Sequence, residues 1–200
     1  RNERYRENVT MIIESLVIIG FALLLDFKFG DPKNKYHPTA WIGIFLAKLT
    51  PIAKNENSTI EKFGGVCIVV ITSGLVILLL FTMNIAISLI TVDYVSLIIS
   101  VIIGGLLLKS TIAIHGMEKH AKSVLGSIDE KNLDMARNNL SMIVKRNTKN
   151  LDKNHIISGV LESISENTVD GITGPMFYYA LFGLPGAFVY RVINTADSMI

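Results

Sequence analysis

The sequence has one cysteine, Cys67, so no disulfide can close within the chain, and its place inside an apolar run reads as an inert buried thiol. Charge is scarce as well. Asp, Glu, Lys and Arg make up 18% of the 200 residues, and the formal net charge is +2. No basic run alternates with aromatics, which sets nucleic-acid binding aside. There is no G-x-x-x-x-G-K-[ST] loop, no G-x-G-x-x-G turn, no paired C-x-x-C and no G-x-S-x-G elbow. Whatever chemistry the chain carries, it does not use those devices. No cleavable secretory signal pattern stands at the start, and because the chain opens on Arg1, a preceding piece is expected.

What is present is apolar. Half of the residues are hydrophobic, the mean hydropathy is +0.46, and the apolar residues are bunched into long runs. That pattern predicts a single all-α domain, a polytopic helical membrane protein. Spans are expected over about 9–25, 66–90 and 95–114. The first is interrupted only by Glu14, which reads as interfacial or, more sharply, as an intramembrane functional carboxylate. Lys109, near the end of the third, is expected to snorkel to the surface. Gly104 and Gly105 suit close helix packing.

Segment 26–43 contains Gly30-Asp31-Pro32 and His37-Pro38, which break a helix, so a structured loop at the membrane surface is expected. Asp31 and His37, with Lys28, Lys33 and Lys35, read either as contacts to a polyanionic ligand or as a surface turn. A short interfacial helix follows over 41–49, with Trp41 at the headgroup level. Segment 109–153 holds nine of the 19 Lys and Arg residues, segment 26–62 holds six, and the 91–94 turn holds none. The positive-inside rule then puts both basic segments in the cytoplasm. Within the first, apolar residues at helical spacing predict an amphipathic cytoplasmic hairpin over about 115–150, broken at 129–132. His115 and His120 read as surface histidines.

Segment 155–175, HIISGVLESISENTVDGITGP, carries the chemistry. On a helix over 155–170, capped by Asp152, one face holds His155, Ser158, Gly159, Glu162, Glu166 and Asp170. Ile157, Val160, Leu161, Ile164 and Thr168 hold the other. Carboxylates at i, i+4 and i+8 repel by about 0.2–0.5 kcal/mol per pair unless they face water or share a cation. Hard oxygens at this spacing suit Mg²⁺. Segment 176–187 is apolar but interrupted by Gly183, Pro185 and Gly186, which suits a re-entrant or interfacial segment dipping into the membrane. A last two-faced helix gathers Tyr190, Arg191, Asn194, Asp197 and Ser198 on one side. From His155 onward there are four carboxylates and one arginine, an imbalance beyond what a solubilising surface needs.

Several of these elements together resemble a known family. They are Gly30-Asp31-Pro32 with His37-Pro38, Ala136-Arg137, Arg146-x-Thr148, Glu162-Ser163-x-x-Glu166-Asn167-x-x-Asp170-Gly171, Pro175, and Tyr190-Arg191-x-x-Asn194-Thr195-x-Asp197-Ser198-Met199. In this order they look like the cobalamin-biosynthesis membrane protein family CbiB/CobD. Members usually carry Asp where this chain has Asn147, and they continue beyond the last motif, so part of the site is expected to lie outside these residues. The resemblance implies an adenosylcobinamide-phosphate synthase. Such a carbon–nitrogen ligase joins aminopropanol phosphate, or aminopropanol, to adenosylcobyric acid, with ATP as co-substrate and Mg²⁺ as cofactor. On that reading Arg146, Glu162, Asn167, Arg191 and Asn194 are catalytic, and Asp31, His37, Thr148 and Ser198 bind substrate. Glu166, Asp170 and Asp197 hold the metal. The partners implied are the corrinoid, the phosphorylated amine and membrane lipid, with room for oligomerisation and an active site facing the cytoplasm. The competing readings are a non-catalytic sensor of the same fold, a transporter, and a transferase acting on lipid-linked phosphates. A transporter would place ionisable residues mid-span and show inverted repeats, and segment 66–90 has no charge.

Overall fold

The computed structural model describes residues 2–30, 32 and 34–199, so Asp31 lies outside the described residues. Among them the chain is helical, without a strand. Eight α-helices follow in order: α1 (Asn2–Phe29), α2 (Pro38–Ala53), α3 (Ser58–Ser88), α4 (Asp93–Lys109), α5 (Ile114–Asp129), α6 (Leu133–Ser141), α7 (Lys153–Thr168) and α8 (Gly174–Asp197). A single π turn, Val169–Thr173, joins α7 to α8. Four stretches are long and apolar enough to cross a membrane: Val9–Phe29, Ser58–Ser88, Asp93–Asp129 and Lys153–Asp197. The chain is therefore that of a multi-pass membrane protein. Many large apolar side chains on α1 and α3, Leu16, Leu24, Phe63, Leu79 and Phe81 among them, are exposed, as they are where lipid is the solvent.

Three packing centres organise these helices. α1 and α4 close on each other through Ile18, Ala22, Leu108 and Ile112. Gly104 and Gly105 make this possible. A Cβ on Gly104 would lie 3.0 Å from Ile18, and one on Gly105 would overlap the Phe21 ring. Across the same interface the Ser100 hydroxyl donates to Glu14, so that carboxylate faces its neighbouring helix. α2 and α3 form the second centre with Ile42, Leu46, Ile68 and Leu80. The third is polar outside and apolar inside: α5, α6 and α7 bury Val124, Ile128, Ala136, Leu140, Ile156 and Val160. α6 stops at Ser141, and Ile143 and Val144 reach this core from the turn beyond it.

Two expectations need correcting near the loop. α1 does not end before Asp26 but runs on to Phe29, because Asp26 is not in water. Its side chain is 0% exposed, its Oδ2 accepts the His115 backbone N–H at 2.9 Å, and its Oδ1 lies 3.4 Å from Lys109 Nζ. Lys109 accordingly does not snorkel to the surface. It is 6% exposed and completes an ion pair between α1 and α4. A buried carboxylate and ammonium persist together because either one alone would be left uncompensated in a low-dielectric interior. Gly30 then ends the helix at φ 63, its N–H returning to the Asp26 carbonyl at 2.9 Å. The Thr39 hydroxyl donates to the Ser110 carbonyl at 3.2 Å and sits 2.7 Å from His37 Nδ1.

α8 is not one straight rod. Gly183 adopts φ 65 and ψ −156, a region open essentially to glycine alone, and Pro185 then starts a second arm. The arms fold back on each other. Tyr178 and Tyr190 stack with centroids 5.2 Å apart, although a straight helix would separate them by about 18 Å. The close approach depends on Gly174 and Gly186. A Cβ at Gly174 would overlap the Tyr190 ring, and one at Gly186 would overlap the Tyr178 carbonyl oxygen. The arms, roughly 13 and 21 Å long at 1.5 Å per residue, are each shorter than the ~30 Å hydrocarbon core. The result is a folded-back helical hairpin wedged between the two helix pairs. Tyr179 and Ala187 pack on α1 and α4, and Phe188, Val192 and Ala196 pack on α2 and α3.

Candidate functional site

The turn-back of α8 brings its C-terminal polar face to the end of α7. The chain enters through Asp152, whose side chain accepts the His155 N–H at 2.9 Å and caps α7. The His155 N–H, followed by its ring at 2.8 Å, holds the Asp152 carboxyl below its ordinary value. Along α7 the buried stripe is Ile156, Gly159, Val160 and Ser163. Leu161, expected on the apolar face, is instead 60% exposed, and Gly159 turns inward. The reason is steric: α6 and the turn after it come so close that a Cβ on Gly159 would lie 2.8 Å from Arg146 Nη2 and 3.1 Å from Leu140.

The three carboxylates do not act as one row. A π turn follows Thr168, and its Asp170 takes other partners than Glu162 on α7. Asp170 faces α8, where its Oδ2 accepts from Asn194 Nδ2 at 2.9 Å and its Oδ1 from the Tyr190 hydroxyl at 3.3 Å. Its backbone carbonyl accepts from Arg191 Nη1 at 3.2 Å, and the same nitrogen reaches Asn194 Oδ1 at 3.4 Å. Glu162 pairs elsewhere, with Arg146 Nη2 at 2.9 Å. Glu166 and Asp197 are exposed. Among the described residues no group of three or more His, Cys, Asp or Glu side chains gathers to hold an ion. Glu166, Asp170 and Asp197 are thus not brought together as a three-carboxylate site.

The other expected residues are placed as follows. Asn167 Nδ2 donates back to the Ser163 carbonyl at 2.8 Å and lines a cleft of about 220 Å³ with His120 and Met117. Thr148 is 5% exposed and its hydroxyl donates to the Arg137 carbonyl at 2.9 Å, which makes it a strut of the turn. The Ser198 hydroxyl donates to Thr195, and its carbonyl accepts from Lys145 Nζ at 3.2 Å. His37 lies at the Asp26 hub. That hub is tied to the site by the backbone: the Ala113 N–H donates to the Gly171 carbonyl at 3.0 Å, gripping the π turn. Arg146–Glu162, Lys145–Ser198 and Asp170–Arg191–Asn194 together span α7, the turn after α6 and the end of α8.

Tyr190, Lys145, Ser163 and Asp26 were not singled out as site residues from sequence. Tyr190 stood on the polar face of the last helix but was not assigned a role. Asp26 offered one signal, a carboxylate directly abutting an apolar run.

The family model described as CobD/Cbib protein matches residues 19–200, which take in every one of these contacts. The chain belongs to the CobD/Cbib family. It is 33% identical over 186 residues to a protein of Methanococcus aeolicus named "Probable cobalamin biosynthesis protein CobD", covering 93% of this chain and 60% of that protein. Proteins of the same name from Pyrococcus abyssi and Methanocaldococcus jannaschii are 37% and 36% identical, each over 92% of this chain and 59% of the relative. The chain therefore spans about three-fifths of the length of these CobD relatives. No solved structure matches it.

Proposed function

We propose that this chain is the larger part of an ATP-dependent amide ligase of cobalamin biosynthesis, joining aminopropanol phosphate, or aminopropanol, to adenosylcobyric acid to give adenosylcobinamide phosphate. What supports the reading is family membership across 19–200, together with one observation: Asp170 meets Arg191 and Asn194, 21 and 24 residues further along the chain, in a single hydrogen-bonded cluster. The Lys and Arg distribution supports a cytoplasmic position for it.

A carboxylate does not condense with an amine at neutral pH. One carboxylate oxygen of the corrinoid propionate takes the terminal phosphoryl group of ATP, releasing ADP. The amine nitrogen then attacks the acyl carbon, phosphate leaves, and the nitrogen gives up its proton. Both steps depend on positioning and on neutralising charge. Arg191, held between the Asp170 carbonyl and Asn194, is oriented rather than mobile and would face developing phosphate charge. Arg146, paired with Glu162, offers a second guanidinium at the same surface. Asn194 and Asn167 would orient the amide and phosphate oxygens of the substrates. Mg²⁺ commonly uses only one or two protein carboxylates beside substrate phosphates, and when bound it would neutralise charge on the transferred group. Asp170 is engaged by α8, so the exposed Glu166 is the α7 carboxylate left to take part in holding it beside the substrate phosphates.

The test uses the full-length protein in detergent. ATP consumption is expected only when cobyric acid and the amine are both present, with the corrinoid amide seen by mass spectrometry. Arg191→Gln should lower turnover by about 10²–10³, with folding intact by circular dichroism. ATP consumption indifferent to either substrate, or no corrinoid amide, overturns the reading.

A further inference from the structure

We infer that the cleft between α6 and the 146–149 turn binds the phosphoryl groups of a phosphate ester or phosphoanhydride. The cleft has a volume of about 360 Å³, and its walls include Arg137, Asn138, Arg146, Asn147 and Lys149, with Asp134 at one edge. Arg137 faces Asp134 and Arg146 is paired with Glu162, so Lys149 leaves one positive charge over, and with the side-chain amides this favours an anion rich in acceptors. Guanidinium forks match phosphate oxygens in pairs.

The walls are pinned in place without a ligand. Arg137 Nε donates to the Leu151 carbonyl at 2.9 Å, and the Thr148 hydroxyl holds the Arg137 carbonyl at the same distance. Asn147 Oδ1 accepts the Lys149 N–H at 3.0 Å, fixing the turn that carries the lysine. Preorganised donors lose little freedom on binding. Asp134 competes for Arg137 at 2.8 Å, but its side chain is 93% exposed, and an exposed pair of this kind yields readily to a multivalent anion. Arg146 belongs both to this cleft and to the Glu162 pair on α7. A phosphoryl group seated here would thus lie next to Glu162 at the start of the site, which names where the phosphate of the proposed ligase goes. The inference rests on that reading only for the identity of the natural ligand.

Binding is measured by calorimetry on the full-length protein in detergent at constant ionic strength, without corrinoid. Two probes are used, tripolyphosphate and O-phosphoethanolamine. Saturable binding is expected in the parent and in the distant Lys122→Ala control. Lys149→Ala and the near-isosteric Asn138→Asp, both at exposed positions, should each weaken it at least about tenfold, the scale of one charge-assisted contact. Tighter tripolyphosphate binding assigns the cleft to a nucleotide, and tighter O-phosphoethanolamine binding to a phosphorylated amine. Both outcomes support the site. No saturable binding, or binding that Asn138→Asp leaves unchanged, overturns it. A protein that binds a probe but forms no corrinoid amide keeps this site and loses the ligase reading. One that forms the amide but binds neither probe does the reverse.

Discussion

The α5–α6–α7 unit and the folded-back α8 both end at the candidate site, and opposite forces hold them. In the first, amphipathic helices bury Val124, Leu140 and Ile156 away from water, and caps at Asn132 and Asp152 set where α6 and α7 begin. Its stability comes from the hydrophobic effect. In the second, the surroundings are as apolar as the side chains, so burying Leu or Phe yields little. Gly174, Gly186 and the kink at Gly183 let the arms approach, and a stacked tyrosine pair fills the seam. The difference teaches where each region is vulnerable. The water-facing unit tolerates change in its polar atoms, and the membrane hairpin fails when a methyl group is added. A third device, the Asp26–Lys109 pair, joins the two environments through His115 and the 110–115 link.

The joint is the first place to break the comparison. Lys109→Met leaves Asp26 buried without its cation and should cost about 3–5 kcal/mol, read by thermal unfolding in detergent. Adding Asp26→Asn should recover much of the loss, because an amide oxygen can still accept the His115 N–H. If the double variant is no better than the single one, the pair is not what couples α1 to α4. The hairpin comes next. Gly186→Ala forces a methyl group against the Tyr178 carbonyl and should cost roughly 1–3 kcal/mol. The stacked tyrosines should separate, which near-ultraviolet circular dichroism would register. A Gly126→Ala change in α5, where a Cβ would meet nothing within 4 Å, should not destabilise at all. Equal losses at the two glycines would erase the distinction between the regions.

The smallest effect belongs to the water-facing unit. The His155 N–H holds the Asp152 carboxyl below 3.8, so ionised Asp152 favours the folded α7 start. With the folded value depressed, that contribution is present above the unfolded carboxylate pKa and is lost as pH falls through the folded one. Protection of the first-turn amides of α7, taken relative to their intrinsic exchange rates, should therefore fall below about pH 4 in the parent. Asp152→Asn keeps an acceptor and should flatten that dependence.

The elements most readable in advance were those obeying a single period or a single solvent. The long apolar α3, the amphipathic α5 and the cap at Asp152 follow from spacing and composition, and the family resemblance rests on the polar residues of α7 and α8. Leu161 was misplaced because its outward position depends on Gly159 being drawn inward by Leu140 and Arg146. Lys109 was misplaced for a similar reason: snorkelling is the default for a lone lysine, and its partner lies on another helix.

By itself, the sequence determined that this chain is helical, lies in a membrane, and sets four carboxylates against one arginine from His155 onward. Hydropathy and residue type are local properties, and they survive without a fold. Only the tertiary structure decided which of those polar groups meet. Asp170 joins Asn194 and Arg191 because one glycine, at a φ of 65, folds α8 back toward the π turn that carries Asp170. Both are choices of backbone geometry that packing selects, and neither leaves a period in the sequence.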